Sequence, residues 1–217
     1  MNKKMHLILI TLLSLFFSSC VTNRLANTTV LNGIIYDMEN EPVSGVFVYI
    51  DDENQAVSDI YGHFYITGLK VNQSYNLTIK KELYEQISLS FDYLNESQVI
   101  YIKTTSFQQL LNFAEQEIKK NNYSKAQEYL LRADSVCNNN YSCKYLSAIN
   151  FYHKKDYDSA ITILNELLAI KKESYVYLLL ADCYQYGKND LKKAKECLKF
   201  SLDIQHIQKI KQRYDSL

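Results

Sequence analysis

Three stretches in the second half of the chain repeat at a fixed interval of 34 residues. They begin at residues 123, 157 and 191, as YSKAQEYLLRA, YDSAITILNELLA and LKKAKECLKFS, and they align on Ala126, Ala160 and Ala194. Four residues after each alanine, on the same face of a helix, stands a leucine: Leu130, Leu164 and Leu198. A unit this short cannot bury its apolar face alone, so neighbouring units must stack. The spacing therefore predicts an array of helical hairpins.

The repeat resembles the tetratricopeptide family. Ala114 and Ala148 stand twelve positions before the first two anchor alanines, and Tyr123 and Tyr157 stand three before them, where a hairpin turn is expected. In the third repeat the small residue is Ala181, so the turn YGKND carries one extra residue. The resemblance implies an all-α superhelix of about three hairpins over 104–206, in units 107–140, 141–173 and 174–206. Residues 207–217 are expected to form a capping helix, with an amphipathic membrane-binding helix as the alternative.

The tetratricopeptide resemblance also implies a concave groove, lined by the first helix of each pair, that binds a protein partner. Tyrosine suits such a surface because it combines apolar area with a polar hydroxyl. Some of these side chains could instead only pack between neighbouring helices. Carried onto this chain, the groove positions are Tyr145, Ile149, Tyr152, His153, Tyr175, Asp182, Gln185 and Tyr186.

Short alternating runs between residues 28 and 103 predict β-strands. They recur about every ten residues without a helical period: VLNGIIYD, VSGVFVYI, HFYITGL, SYNLTIK, ISLSFDY and VIYIKT. This pattern favours a small all-β sandwich that precedes the helical array.

The same region resembles the carboxypeptidase regulatory-like domain. Its motif residues here are Gly33 to Asp37, then Pro42, Gly45 and Val46, then Asp59, Gly62 and Phe64. The resemblance implies a transthyretin-like sandwich of about seven strands over 28–103, which serves as a structural or binding module without an active site. The acidic run Asp51-Asp52-Glu53, together with Asp59, is either a solvated loop or a calcium ligand set.

The start of the chain has the pattern of an export signal. Lys3 and Lys4 precede an apolar run of about 13 residues, shorter than the roughly 20 that a transmembrane helix needs. The small residues Ser18 and Ser19 then precede Cys20, and LSLFFSSC resembles a bacterial lipobox. The resemblance implies a lipoprotein signal peptide at 1–19, lipid on Cys20 and a tether at 20–27. An ordinary secreted protein and an uncleaved anchor are the alternatives.

Four cysteines remain: Cys137, Cys143, Cys183 and Cys197. Because an exported protein can keep disulfides, a bridge between the first two and a bridge between the last two form one of two interpretations. Free buried thiols that pack as small hydrophobes are the alternative. The spacing is unlike that of a metal site, so no metal is expected.

No catalytic constellation is recognisable in the sequence, and neither an enzyme nor a cofactor is expected. The halves differ in charge, because residues 21–103 carry 5 basic and 11 acidic side chains, whereas 104–217 carry 17 and 13. A net charge of +4 on the second half is far below what a nucleic-acid-binding domain needs.

The sequence therefore predicts a lipid-anchored adaptor in the cell envelope, on the periplasmic face of the outer membrane, that binds another envelope protein. The first alternative is a binding lipoprotein that delivers a small molecule or glycan to a transporter. A deep aromatic pocket would favour this alternative, and an open groove would favour the adaptor. A purely structural spacer is the second alternative.

Overall fold

The structure, a computed structural model, describes residues 29–217. Its first part contains seven strands: β1 (Val30–Tyr36), β2 (Phe47–Ile50), β3 (Glu53–Val57), β4 (His63–Thr67), β5 (Gln73–Lys80), β6 (Ile87–Tyr93) and β7 (Val99–Lys103). They form a three-stranded sheet in the order β4-β1-β7 and a four-stranded sheet in the order β3-β2-β5-β6. Strand β1 is antiparallel to β4 but parallel to β7.

Both sheets contribute to one apolar core. Alternate residues of the strands point into it, as β-strand geometry requires. On β1 these are Leu31 and Ile35, and Val48, Phe64 and Leu77 join them from β2, β4 and β5. The buried side chains are almost all aliphatic, so this part is held mainly by the hydrophobic effect.

The Asp59 to Gly62 turn is held by the side chain of its first residue. The Asp59 Oδ1 atom accepts hydrogen bonds from the backbone N–H groups of Tyr61 and His63, at 2.9 and 2.8 Å. Gly62 has a φ of +77°, and a Cβ atom there would lie 2.4 Å from the carbonyl oxygen of Ile35. A glycine is therefore required both by the left-handed backbone and by the close approach.

The second part is helical and repeats as predicted. The helices are α1 (Phe107–Lys119), α2 (Tyr123–Val136), α3 (Tyr141–His153), α4 (Tyr157–Ile170), α5 (Ser174–Asp182), α6 (Leu191–Ile204) and α7 (Gln208–Ser216). The first helices of the pairs start at 107, 141 and 174, and the second helices start at 123, 157 and 191. The prediction of tetratricopeptide-like hairpins is therefore confirmed.

Caps and small residues explain the hairpins locally. Ser106 and Gln109 form a capping box on α1, and the side chains of Asp156 and Asp190 cap α4 and α6. The anchor alanines Ala126, Ala160 and Ala194 are all fully buried. A larger side chain there would separate the packed helices.

The extra residue in the third repeat is accommodated by a change of helix type. Residues Cys183–Gly187 continue α5 as a π-helical turn, in which the backbone N–H of Lys188 bonds to the carbonyl of Cys183. A Cβ atom on Gly187 would lie 2.2 Å from the ring of Tyr157, so a glycine is needed where this turn meets α4.

An ion pair and a side-chain hydrogen bond join the strand-containing part to the helices. Arg132 on α2 makes a two-point contact with Glu85, with Nε to Oε1 at 2.8 Å and Nη2 to Oε2 at 2.7 Å. Gln109 on α1 donates to Asp37 Oδ2 at 2.9 Å. These contacts connect the turn after β1 and the segment before β6 to the first helical hairpin.

The prediction of an all-β sandwich followed by a separate all-α superhelix was wrong. Within residues 29–217 the chain is mixed α/β, with seven strands in two small sheets and helices concentrated after residue 106. Alternation predicts strands but not their partners. Strand β7 pairs in parallel with β1 and forms the third strand of the smaller sheet, and it then leads directly into α1.

No helix among residues 29–217 is long and apolar enough to cross a membrane. The predicted signal peptide, the tether at 20–27 and Cys20 lie outside the described residues.

Candidate functional site

The first helices of the three pairs together line one surface depression. It has a volume of about 530 Å³ and is open rather than enclosed. Its apolar wall consists of Leu111, Tyr141, Tyr145, Leu146, Ile149 and Tyr175, and polar side chains of Gln108, Asn112, Glu115 and Ser142 edge it. This set of residues is called the groove below.

Two tyrosines form the centre of the groove. Tyr145 on α3 and Tyr175 on α5 pack edge to face, with ring centroids 4.8 Å apart and an interplanar angle of 75°. This geometry is favourable for aromatic pairs. The pair therefore links the second and third repeats and presents ring surface to solvent.

Tyr141 and Tyr145 of the groove remain protonated at physiological pH. Burial, reinforced by the neighbouring Tyr175, raises the pKa of Tyr141 and of Tyr145 to about 12. Asn140 fixes the start of α3, because its side chain accepts hydrogen bonds from the backbone N–H groups of Ser142 and Cys143. The hydroxyls can thus serve as hydrogen-bond donors on a rigid helix.

Three of the predicted groove residues contact the C-terminal helix instead. Arg213 on α7 pairs with Asp182, with Nη1 to Oδ1 at 2.7 Å, and donates to Gln185 Oε1 from Nε at 3.1 Å and from Nη2. Its guanidinium lies 5.6 Å from the ring centroid of Tyr186. The third repeat therefore holds α7 through Asp182, Gln185 and Tyr186.

The remaining two predicted residues lie near the hairpin turns. Tyr152 packs edge to face against Tyr157, with centroids 5.8 Å apart. His153 stacks on Tyr123, with centroids 5.8 Å apart and planes within 5°. His153 also lines a second depression of about 580 Å³ beside Lys125. Only Tyr145, Ile149 and Tyr175 of the predicted set therefore lie together in the groove.

Sequence reasoning missed the contribution of the first repeat to the groove. Leu111 and Glu115 stand 34 positions before Tyr145 and Ile149, and Tyr141 stands 34 before Tyr175. The repeat period therefore contained the signal. Arg213 lies beyond the repeats, and no sequence signal identified it.

All four cysteines of the described helices are free thiols, and three of them are buried. Burial raises the pKa of Cys143 and of Cys197 to about 11, and that of Cys183 to about 12. The three buried thiols pack as small neutral groups. Neither the Cys137–Cys143 bridge nor the Cys183–Cys197 bridge is formed in this structure.

The residues considered for calcium do not converge in the structure. Within residues 29–217 no group of three metal-ligating side chains comes together. Asp51 Oδ1 instead accepts a hydrogen bond from the backbone N–H of Asn76 at 3.0 Å, and Asp59 holds its own turn.

No family model and no curated protein matches the chain. Among solved structures, the translocator chaperone SycD of Yersinia enterocolitica is 19% identical, with a TM-score of 0.45 over 51% of this chain and 86% of that chain. The N-terminal domain of STI-1 from C. elegans is 13% identical, with a TM-score of 0.45 over 51% and 92% of the two chains. The first TPR of Spaghetti (RPAP3), bound to an HSP90 peptide, is 15% identical, with a TM-score of 0.45 over 51% and 88%.

Proposed function

We propose that the chain is a non-catalytic adaptor that binds another protein through the groove. The observation that carries this proposal is the convergence of side chains from α1, α3 and α5 on one open depression, with the 41% exposed Tyr175 packed on Tyr145 at its centre. Protein interfaces concentrate their binding free energy in a few such aromatic anchors surrounded by polar groups.

The shape of the groove supports a macromolecular partner over a small ligand. A small-molecule site usually encloses most of its ligand, whereas this depression is open along the helices. The amide side chains of Gln108 and Asn112 on its edge already bond to each other at 2.9 Å, and they could exchange that bond for a partner backbone.

We further propose that lipid on Cys20 attaches this adaptor to the cell envelope, at the periplasmic face of the outer membrane. The support is the sequence LSLFFSSC and its flanks, as set out above. Several acyl chains at about 0.8 kcal/mol per buried CH₂ would give a stable attachment.

Site-specific photo-crosslinking in intact cells tests the groove. A photoreactive amino acid at position 145 is compared with the same residue at position 131, because Leu131 is 64% exposed on α2 outside the groove lining. We expect one envelope protein to be captured from position 145 and not from 131. The Tyr175→Ala variant should weaken this capture. Equal capture from both positions, or none from 145, would refute the groove as the binding site.

Metabolic labelling with an alkyne fatty acid tests the anchor separately. The wild-type chain should incorporate the label, and Cys20→Ser should lose it while the crosslink from position 145 remains possible in solubilised extracts. An unlabelled wild-type chain would remove the anchor and leave the groove proposal intact.

A further inference from the structure

The outer face of the three-stranded sheet carries two exposed tyrosine side chains. Strand register places Tyr65 beside Asn32, and places His63 and Tyr101 on either side of Ile34. Tyr65 is 56% exposed and Tyr101 is 65% exposed. This set, with Tyr36 at the end of β1, is called the tyrosine face below.

The tyrosine face is rigidly built. Each of its three strands is held by a backbone ladder to a neighbour, and the rings of Tyr36 and Tyr101 lie within 6° of parallel, with centroids 6.4 Å apart. Beneath the face, Phe64 packs so closely on β1 that a Cβ atom on Gly33 would lie 2.0 Å from its ring. The aromatic groups are therefore presented on a fixed support.

The tyrosine face has few free charges, which argues against a nucleic acid or another anionic polymer as its partner. No carboxylate occupies an outward position of β1, β4 or β7. The cation at its corner, Lys103, donates to Asn40 Oδ1 at 2.8 Å, and the His63 imidazole lies 3.9 Å from Asp59. A nucleic acid or an anionic polymer would need several free cations. The chemistry of the face therefore fits an uncharged ligand.

The size of the face argues against a protein partner. Three strands at about 4.8 Å spacing and five residues at about 3.3 Å rise give roughly 14 by 17 Å, or about 240 Å². A stable protein interface buries about 800 Å² on each side. A second copy of this chain would therefore gain too little from this face alone, whereas a narrow ligand would be well covered.

We propose that the tyrosine face binds an extended, uncharged β-1,4-linked glycan. Such chains are flat ribbons whose sugar rings expose C–H bonds on their faces and hydroxyls at their edges. The C–H faces stack on tyrosine rings, and the hydroxyls can bond to the Asn32 amide, the His63 imidazole and the tyrosine hydroxyls. The Cα atoms of Tyr65 and Tyr101 lie about 12 Å apart, two strands and two residues away from each other, so they contact different sugars of one chain.

Saturation-transfer NMR and calorimetry with matched hexasaccharides test the proposal on the detergent-solubilised full-length protein. The probes are cellohexaose, maltohexaose and chitohexaose. Cellohexaose and maltohexaose contain the same six glucoses, but the α-1,4 linkage of maltohexaose makes a coiled chain. We expect cellohexaose or chitohexaose to bind with a Kd on the order of 1 mM or below, and maltohexaose to bind at least about tenfold more weakly.

Two variants locate the site. The double variant Tyr65→Ala, Tyr101→Ala should lose at least about tenfold in affinity, because both stacking contacts are removed. Phe47→Ala is the matched control, since Phe47 is a 46% exposed aromatic residue on β2 of the other sheet, and it should bind as the wild type does. Circular dichroism checks that both variants keep their fold.

Three results would overturn the proposal. They are no binding of either β-1,4-linked hexamer, equal binding of maltohexaose, and unchanged affinity in the double variant. Self-association of the wild type that the double variant abolishes, without glycan binding, would assign the face to a second copy instead. None of these results depends on the groove or on the lipid anchor.

Discussion

Glu85→Gln is expected to weaken the joint between the strands and the first helical hairpin. In the wild type the Glu85 carboxylate is 17% exposed and receives two short hydrogen bonds from Arg132, whose side chain is 37% exposed. The variant keeps the shape of the side chain but removes its charge. Thr105, which accepts a further bond from Arg132 at 3.3 Å, stays in place.

The expected loss follows from the strength of this contact. A charge-assisted hydrogen bond contributes about 1.5–3 kcal/mol, and the partial exposure of Arg132 places this pair towards the low end. Since glutamine can still accept one bond, we expect the free energy of unfolding at pH 7 to fall by about 1–2 kcal/mol. Glu115→Gln is the control, because Glu115 and its partner Lys119 are 53% and 70% exposed, and its loss should stay below about 0.5 kcal/mol.

The pKa of Glu85 determines how the contribution of this pair to the free energy of unfolding changes with pH. The Arg132 hydrogen bonds lower the pKa of Glu85 below its ordinary value of 4.5. The pair therefore stabilises the fold fully above pH 4.5, and this contribution is lost as the pH falls through the lowered folded-state pKa. The difference between wild type and Glu85→Gln should shrink in the same window.

Urea unfolding followed by far-ultraviolet circular dichroism measures both effects. Midpoints and slopes are recorded at pH 7 and at steps below pH 4.5 for the wild type and the two glutamine variants. A loss no larger than that of Glu115→Gln at pH 7 would refute the reasoning. So would a loss for Glu85→Gln that stays constant as the solution is acidified.

Three further predictions concern backbone, packing and titration. In urea unfolding, Gly62→Ala should lower the free energy of unfolding by more than about 1 kcal/mol, because the φ of Gly62 is +77° and a Cβ atom there would clash. Gly45 has a similar φ of +69° but open space around it, so Gly45→Ala should cost only about 1 kcal/mol. Leu164→Ala should cost about 2–5 kcal/mol in the same assay because Leu164 is fully buried, whereas exposed Leu131→Ala should stay within about 0.5 kcal/mol. The phenolates of Tyr145 and Tyr141 should appear only near pH 12 in a spectrophotometric titration, and the Tyr145→Phe variant should lose one of these two ionisations.

The helical repeats could be predicted from the sequence because their signals are local. Ala126, Ala160 and Ala194 recur every 34 residues, and each is followed four positions later by a leucine on the same face of its helix. The Asp59 to Gly62 turn was equally predictable, since its hydrogen bonds join residues at most four positions apart. Tyr145, Ile149 and Tyr175 came instead from the groove positions that the tetratricopeptide resemblance implies.

The arrangement of the strands could not be predicted in this way. Alternation fixes which side chains of β1 point inward, but it does not say that β7, more than sixty residues later, lies parallel to it. This pairing completes the three-stranded sheet β4-β1-β7, and it brings Tyr36 and Tyr101 side by side.

By itself, the sequence determined the period of the helical hairpins and the inward faces of the strands. Only the tertiary structure decided the pairing of β1 with β7, the contact of Glu85 with Arg132 47 positions away, and the contact of Arg213 with Asp182. The physical reason is that periodicity and turn chemistry act within a few residues. A contact between distant residues depends on how all the intervening elements pack.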